Sequence, residues 1–297
     1  MKFKGHETFF IRKNWITKGI KNILLDSTLF TDKNNNPMDA LGIGSNMVKS
    51  LRYWLCATGV VREDMVDRKK NSRLTKLGEL VWKYDQYTEE FGTLWLLHYS
   101  LVKNFDQVTS WYYFFNKFNL SEFSKEDFVN HLTNEVNILG GTTSIRSLED
   151  DFNCIISSYL PRYKVNNGKV NPEDNMECPL TELGIIDYQN KKYKTYKKIT
   201  PSKDVIPPLI LLAILLDCNQ GVKEITLVKL LNAECNIGKI FNLDIITLLG
   251  IITQLENQGF VKLIRTSGLD ILRIETELDY LGCIEKYYKS LINVDAI

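Results

Sequence analysis

Several features are scarce in this 297-residue chain, and each scarcity closes off a class of function. Net charge comes first: 37 basic residues against 36 acidic ones leave a formal +1. No global field then draws the chain to phosphate, so any nucleic-acid surface must be a local patch. Long apolar runs are also missing. The most hydrophobic stretch, VIPPLILLAILLDC (205–218), is shorter than the roughly 20 residues of a membrane span and opens on a Pro pair. It reads as a buried helix, and no membrane partner is expected. MKFKGHETFF has neither an apolar leader core nor a cleavage pattern, which makes the cytoplasm the expected compartment. The cysteines Cys56, Cys154, Cys178, Cys218, Cys235 and Cys283 stand singly, without a CxxC pair. Zinc knuckles and redox dithiols find no support, and reduced thiols packed as small hydrophobes are expected. P-loop, GxGxxG, GxSxG and HExxH patterns are absent, so no organic cofactor is expected.

What is present is a globular composition, 44% hydrophobic and 25% charged, with length for two or three domains. The periodicity predicts a mainly α fold. NWITKGIKNILL (14–25) spaces Trp15, Ile16, Ile20, Ile23 and Leu24 as a helix. A turn, TDKNNNP, precedes the short helix PMDAL, and GIG breaks it. Ser45 or Asn46 is expected to cap the next helix, with Met47, Val48, Leu51, Trp54 and Leu55 inward and Gly59 ending it. VVRED and SRLTKLGELV follow around a charged turn. That order predicts an N-terminal winged helix-turn-helix over 1–86, with 45–57 as its recognition helix. Residues 87–161 read as a central aromatic-rich helical region, and 162–202 as a basic turn and strand connection that includes VNNGKVNPEDN. Residues 203–297 read as a second, C-terminal winged-helix-like domain with a hairpin around SGLD. Its third helix is poor in base, with Thr247, Thr253, Gln254 and Asn257 outward, and it is expected to face protein rather than DNA.

Four stretches hold residues able to do chemistry. On helix 45–57, Ser45, Lys49 and Arg52 lie on one face with Asn46 and Tyr53 beside them. Phosphate contact needs long cations and hydroxyls, and base reading needs forked donors or an Asn amide. These five residues are therefore candidate DNA contacts, with Arg68, Lys69, Lys70 and Arg73 as the wing and Arg12 and Lys13 nearby. The bland alternative is a solvated or protein-facing helix. KKYKTYKK (191–198) interleaves lysine with tyrosine, as strand-tracking sites do, and alternation would place Lys192 and Lys194 on one face. It equally suits a lysine-protected edge strand. His6 and Glu7 are adjacent in GHETFF; a metal or proton-transfer role competes with a structural hydrogen bond from His6. LEDDFNC places Asp150 and Asp151 on a helix, where Mg²⁺-dependent nucleases gather carboxylates, although their spacing is that of an ordinary charged helix start. His6, Glu7, Asp150 and Asp151 form the candidate catalytic set. His98 and His131 lie on apolar helices and read as core or boundary residues.

Taken together, GHETFFIRKNWITKGI, LGIGSNMVKSLRYWLCATGVV, LTKLGELVWKYDQYTEEFGTLWLLHYSL, WYYFFNKF and SLEDDFNCIISSYL resemble a bacterial family, domain of unknown function four thousand and seven, which is SspB-like. The resemblance runs nearly the whole chain. It implies a component of a phage-excluding DNA phosphorothioation system, in which sulfur replaces a non-bridging phosphate oxygen. It also implies DNA nicking, with Mg²⁺ or Mn²⁺ as the expected metal. The implied partners are DNA, a cysteine desulfurase, an ATPase and an ATP pyrophosphatase similar to PAPS reductases. The alternative is a non-catalytic adaptor that binds DNA and docks the sulfurtransferase; a transcriptional regulator is a third reading. A homodimer is expected, since two-fold dimers are the commonest oligomers and DNA sites are often two-fold.

Overall fold

Local chemistry sets most of the helix starts. In the computed structural model, which describes residues 1–32, 34–66, 69–161, 177–266 and 269–294, the first turns are α1 (Trp15–Leu25), α2 (Pro37–Leu41) and α3 (Ser45–Ala57). Pro37 opens α2 from its first helical position. The N-cap of α3 is Gly44, with no side-chain cap, so Ser45 and Asn46 lie inside the helix and point to solvent. Val48, Leu51, Trp54 and Leu55 are buried and Met47 half-buried, as the spacing predicts, while Leu24 of α1 is exposed. Gly59 takes φ +72° just past α3, a conformation that admits glycine without strain. The chain then makes an antiparallel hairpin, β1 (Val61–Val66) with β2 (Lys69–Leu74), and α4 (Lys76–Tyr84), capped by Thr75.

The middle is helical and aromatic: α5 (Phe91–Lys103), α6 (Thr109–Asn116), α7 (Lys125–Ile138) and α8 (Ile145–Tyr159). Ser124 and Asp127 form the capping box of α7, and Ser144 caps α8. The strand β3 (Glu122–Phe123) joins β4 (Ile186–Asn190) and β5 (Thr195–Lys198) in one antiparallel sheet with β5 at its centre. VNNGKVNPEDN lies outside the described residues.

The last third runs α9 (Pro208–Cys218), β6 (Glu224–Thr226), α10 (Leu227–Asn232), α11 (Ile237–Ile240), α12 (Ile245–Asn257), β7 (Val261–Thr266), β8 (Leu269–Ile274) and α13 (Tyr280–Val294). Asp244 caps α12 and Thr226 caps α10. Beyond the expected hairpin, β6 adds a third strand, giving the sheet order β6-β8-β7. The closing helix α13 packs on α9 and α4. Its Tyr288 hydroxyl meets the Thr93 hydroxyl at 2.6 Å, and the Gly92 N–H donates to Tyr287 Oη at 3.2 Å. The last helix thus ties the N-terminal, middle and C-terminal segments into one hydrophobic interior. The fold is mainly helical, and none of the six cysteines is joined in a disulfide. Among the described residues no single helix is long and apolar enough to cross a membrane.

Candidate nucleic-acid interface

The opening segment and α3 build one site between them. Residues 5–8 form a turn rather than a strand, with Lys4, Glu7 and Thr8 all at positive φ. Three such non-glycine residues in five cost energy that the surroundings must offset. The offset is visible: buried Asp151 on α8 accepts from the Lys4 N–H at 2.8 Å, from His6 Nε2 at 2.8 Å and from Ser110 Oγ at 2.5 Å. His6 Nδ1 accepts from the Thr8 N–H at 3.1 Å, which places the ring proton on Nε2, facing the carboxylate. The His6 ring stacks on Trp54 and meets Trp111 edge-on. The Trp54 indole N–H donates to the Phe9 carbonyl at 2.8 Å. Gly5 lies flat against Tyr53; a Cβ there would come within 2.4 Å of the ring.

This pinning sets Lys2 and Glu7 opposite α3, around a cavity of about 480 Å³. Its wall holds four cationic side chains, Lys2, Lys49, Arg52 and Lys70, and two carboxylates, Glu7 and Glu63, with Tyr53, Cys56 and Ala57 between them. The six charges are not equivalent. Glu63 on β1 holds Arg52 through both oxygens, at 2.5 and 2.9 Å, and Lys70 at 3.0 Å. Burial works against the Glu63 carboxylate, but its two cations outweigh burial and hold its pKa below the ordinary range. Lys49 is exposed and, among the described residues, reaches Asn46 alone, at 3.5 Å. Lys2 lies over the Tyr53 ring and touches Gln107. Among the described residues, neither Lys2 nor Lys49 is paired with a carboxylate, and neither is Glu7 paired with a cation. The Cys56 thiol is pushed up to about 11 by burial and by Glu63, so it is protonated and inert as a nucleophile at neutral pH.

The remaining expected contacts divide. Ser45 and Asn46 are exposed beside Lys49, Tyr53 is half-buried in the cavity wall, and Arg73 is exposed on β2. Arg68 lies outside the described residues, as does the side chain of Lys69. Lys13 is exposed, whereas Arg12 is buried with its guanidinium over Phe9 and Trp15. It packs the opening segment instead of presenting a charge. KKYKTYKK is not a continuous strand: residues 191–194 are the turn between β4 and β5, with Lys194 at φ +52°. Lys192 and Lys194 are both exposed there, but they have no strand face to share. Lys198 turns inward to the carbonyls of Phe114 and Phe118, each at 2.5 Å, and burial with nearby Lys239 pulls its pKa down to about 7.

Of the candidate catalytic set, His6 and Asp151 meet at 2.8 Å in the interior, while Glu7 and Asp150 stand apart from that pair. Asp151 is committed to the buried turn, and Asp150 pairs with Lys4 Nζ at 2.7 Å. Only Glu7 lines the cavity. Among the described residues no group of three His, Cys, Asp or Glu side chains is arranged to hold a metal ion. The donor set expected for Mg²⁺ or Mn²⁺ therefore does not fit such an ion as it stands. Of the other histidines, His98 is fully buried with both ring nitrogens bonded, and His131 is exposed beside Phe118. Sequence reasoning missed Lys2, Glu63 and Gln107 as cavity residues. Glu63 carries no local signal, because strand pairing and the turn at Gly59 bring it to Arg52.

A mainly helical protein, with helix-and-hairpin units near both ends and a cation-lined cavity against the first, is the class these features define. The chain belongs to the family described as "Protein of unknown function (DUF4007)", whose model matches residues 3–288. It is similar to two solved structures, "Magnesium ion-bound SspB crystal structure" and "SspB crystal structure", with TM-scores of 0.83 and 0.81. Each is 24% identical, over 99% of this chain and 87% of the other, and at that identity the likeness is one of fold. No curated protein matches the chain.

Proposed function

We propose that this protein is the DNA-engaging component of a phosphorothioation system, gripping its substrate through α3 and the cavity beside it. One observation carries the reading: Lys49 and Lys2 are exposed cations, unpaired with any carboxylate among the described residues, that face one concave surface along α3. The fold likeness to SspB supports the assignment to such a system. In this reading α1–α3 with β1–β2, and α9–α12 with the β6-β8-β7 sheet, are two winged-helix units. The order of helices and hairpin in each supports that. The second unit presents apolar Ile245 and Ile246 at the start of α12, which suits a protein partner such as a sulfurtransferase or a second copy.

Direct binding tests the proposal. Lys49→Ala should weaken binding to a fluorescein-labelled duplex by about three- to tenfold, and flatten the salt slope by about one unit. Fluorescence anisotropy over a KCl series measures both, and unchanged values for affinity and slope would count against the assignment. Glu63→Gln should act the other way. It releases Arg52 and Lys70 from their shared carboxylate, so the salt slope should steepen by about one unit. The same change should cost about 1–3 kcal/mol of stability, since a half-buried guanidinium loses a charged partner.

The adaptor reading has its own support, because Asp150 and Asp151 are spent elsewhere, and of the cavity's two carboxylates Glu63 is held by Arg52 and Lys70, which leaves Glu7. Supercoiled plasmid incubated with clean protein and Mg²⁺ or Mn²⁺ separates the two readings. Persistent supercoils identify an adaptor. Nicking that Glu7→Gln abolishes, without loss of duplex binding, identifies a nickase.

A further inference from the structure

A helix that only lies along a phosphate row needs no cavity, yet α3 forms one wall of a recess of about 480 Å³. That volume falls within the roughly 300–1,000 Å³ of small-molecule sites. The larger recess of about 630 Å³ at Thr75 and Lys103 differs in kind, because its lysines are already taken. Lys103 pairs with Asp217 and Lys76 with Glu79. Beside α3 the balance is open: four cations against two carboxylates leave two positive charges in excess.

From this geometry we infer that the recess receives one unpaired nucleotide of a bound strand, an inference that rests on the DNA reading above. Two excess charges match the two phosphodiesters that flank a single nucleotide, with Lys2 and Lys49, the cavity cations that no carboxylate holds among the described residues, to meet them. Tyr53, Ala57 and Cys56 supply the apolar wall for the base. A base that is part of a duplex would reach the recess by leaving the stack. Glu7 sets the preference. Its carboxylate is unpaired among the described residues and accepts hydrogen bonds only, so it favours a base edge that presents an amino group. Guanine, with adjacent ring N–H and amino donors, fits best, and thymine, which lacks an amino group, fits least.

The full-length protein allows two measurements. In the first, a fluorescein-labelled duplex carries 2-aminopurine at successive positions, and anisotropy follows binding while 2-aminopurine emission follows unstacking. A several-fold rise at one position on saturation is expected. In the second, calorimetric titration compares 5′-dGMP with 5′-dTMP. About fivefold tighter binding of dGMP is expected, with Lys49→Ala weakening both and Glu7→Gln removing the difference. Duplex binding with flat 2-aminopurine emission at every position overturns this inference and leaves the DNA reading intact. Equal affinity for the two nucleotides, or a preference that survives Glu7→Gln, overturns the role given to Glu7. Failure to bind duplex at all overturns the DNA reading, and this inference with it.

Discussion

Asp151→Ala is expected to cost about 3–5 kcal/mol of unfolding free energy, the loss typical of breaking a buried charged hub. The carboxylate is nearly inaccessible and accepts from a backbone N–H, an imidazole and a hydroxyl. Alanine removes the acceptor and leaves all three donors without their partner. The effect should also be local. Lys4, Glu7 and Thr8 keep their left-handed backbone only while Lys4 N–H and His6 are held. Hydrogen exchange at the Lys4 and Thr8 amides should therefore speed up even in native conditions. Asp151→Asn is the milder variant, at about 1–3 kcal/mol, because one oxygen remains and the Ser110 hydroxyl can reverse its direction. Urea unfolding measures the loss. A metal-ligand role predicts the opposite pattern, in which both variants keep stability and lose a Mg²⁺-dependent activity.

That pattern bears on what the sequence could disclose. Helix 45–57 and its buried face were legible because apolar residues recur at helical spacing and a glycine closes each end. The hairpin at 261–274 was legible because its signal, SGLD between two alternating runs, lies within a few residues. The third strand, β6, was not, since three residues joining a distant hairpin carry no period of their own. The closing helix α13 went unread although Leu281, Ile284, Tyr288 and Leu291 repeat as one face.

The site shows the same division more sharply. Lys49, Ser45 and Asn46 stand where helical geometry puts them, exposed at the start of α3. Arg52 belongs to the same face, yet its charge is answered by Glu63, eleven positions along and across the turn. His6 and Glu7 are neighbours that a strand would send to opposite sides. The turn does separate them, one into the core against Asp151 and the other to the cavity wall. Buried arginine is the hardest case. Nothing in IRKNW distinguishes Arg12, stacked on Phe9 and Trp15, from the exposed Lys13 that follows it.

Acidification should expose a second buried histidine as a determinant of stability. His98 is completely enclosed; its Nε2 N–H donates to the Ile240 carbonyl at 2.8 Å, and its Nδ1 accepts from the Tyr159 hydroxyl at 2.7 Å. Desolvation dominates and lowers its pKa from 6.5 to about 4, although the Ile240 carbonyl favours the charged form. The unfolded chain therefore takes up a proton below pH 6.5 that the folded chain refuses until about pH 4. More protons on the unfolded state means that stability falls as pH falls through that window. The loss should total roughly 3 kcal/mol by pH 4, because a proton bound by one state alone is worth about 1.4 kcal/mol for each pH step of one. The carboxylates held low in the fold, Asp26, Glu63, Asp127 and Asp217, start from 3.8 or 4.5 and act mainly below this window. Urea unfolding at pH 7, 5.5 and 4.5 measures the slope. His98→Gln should be less stable at pH 7 because the site is tightly packed, yet its stability should change less with pH across the window. Parallel slopes for the two proteins would mean that His98 already carries its proton inside the fold, against the hydroxyl that points at it.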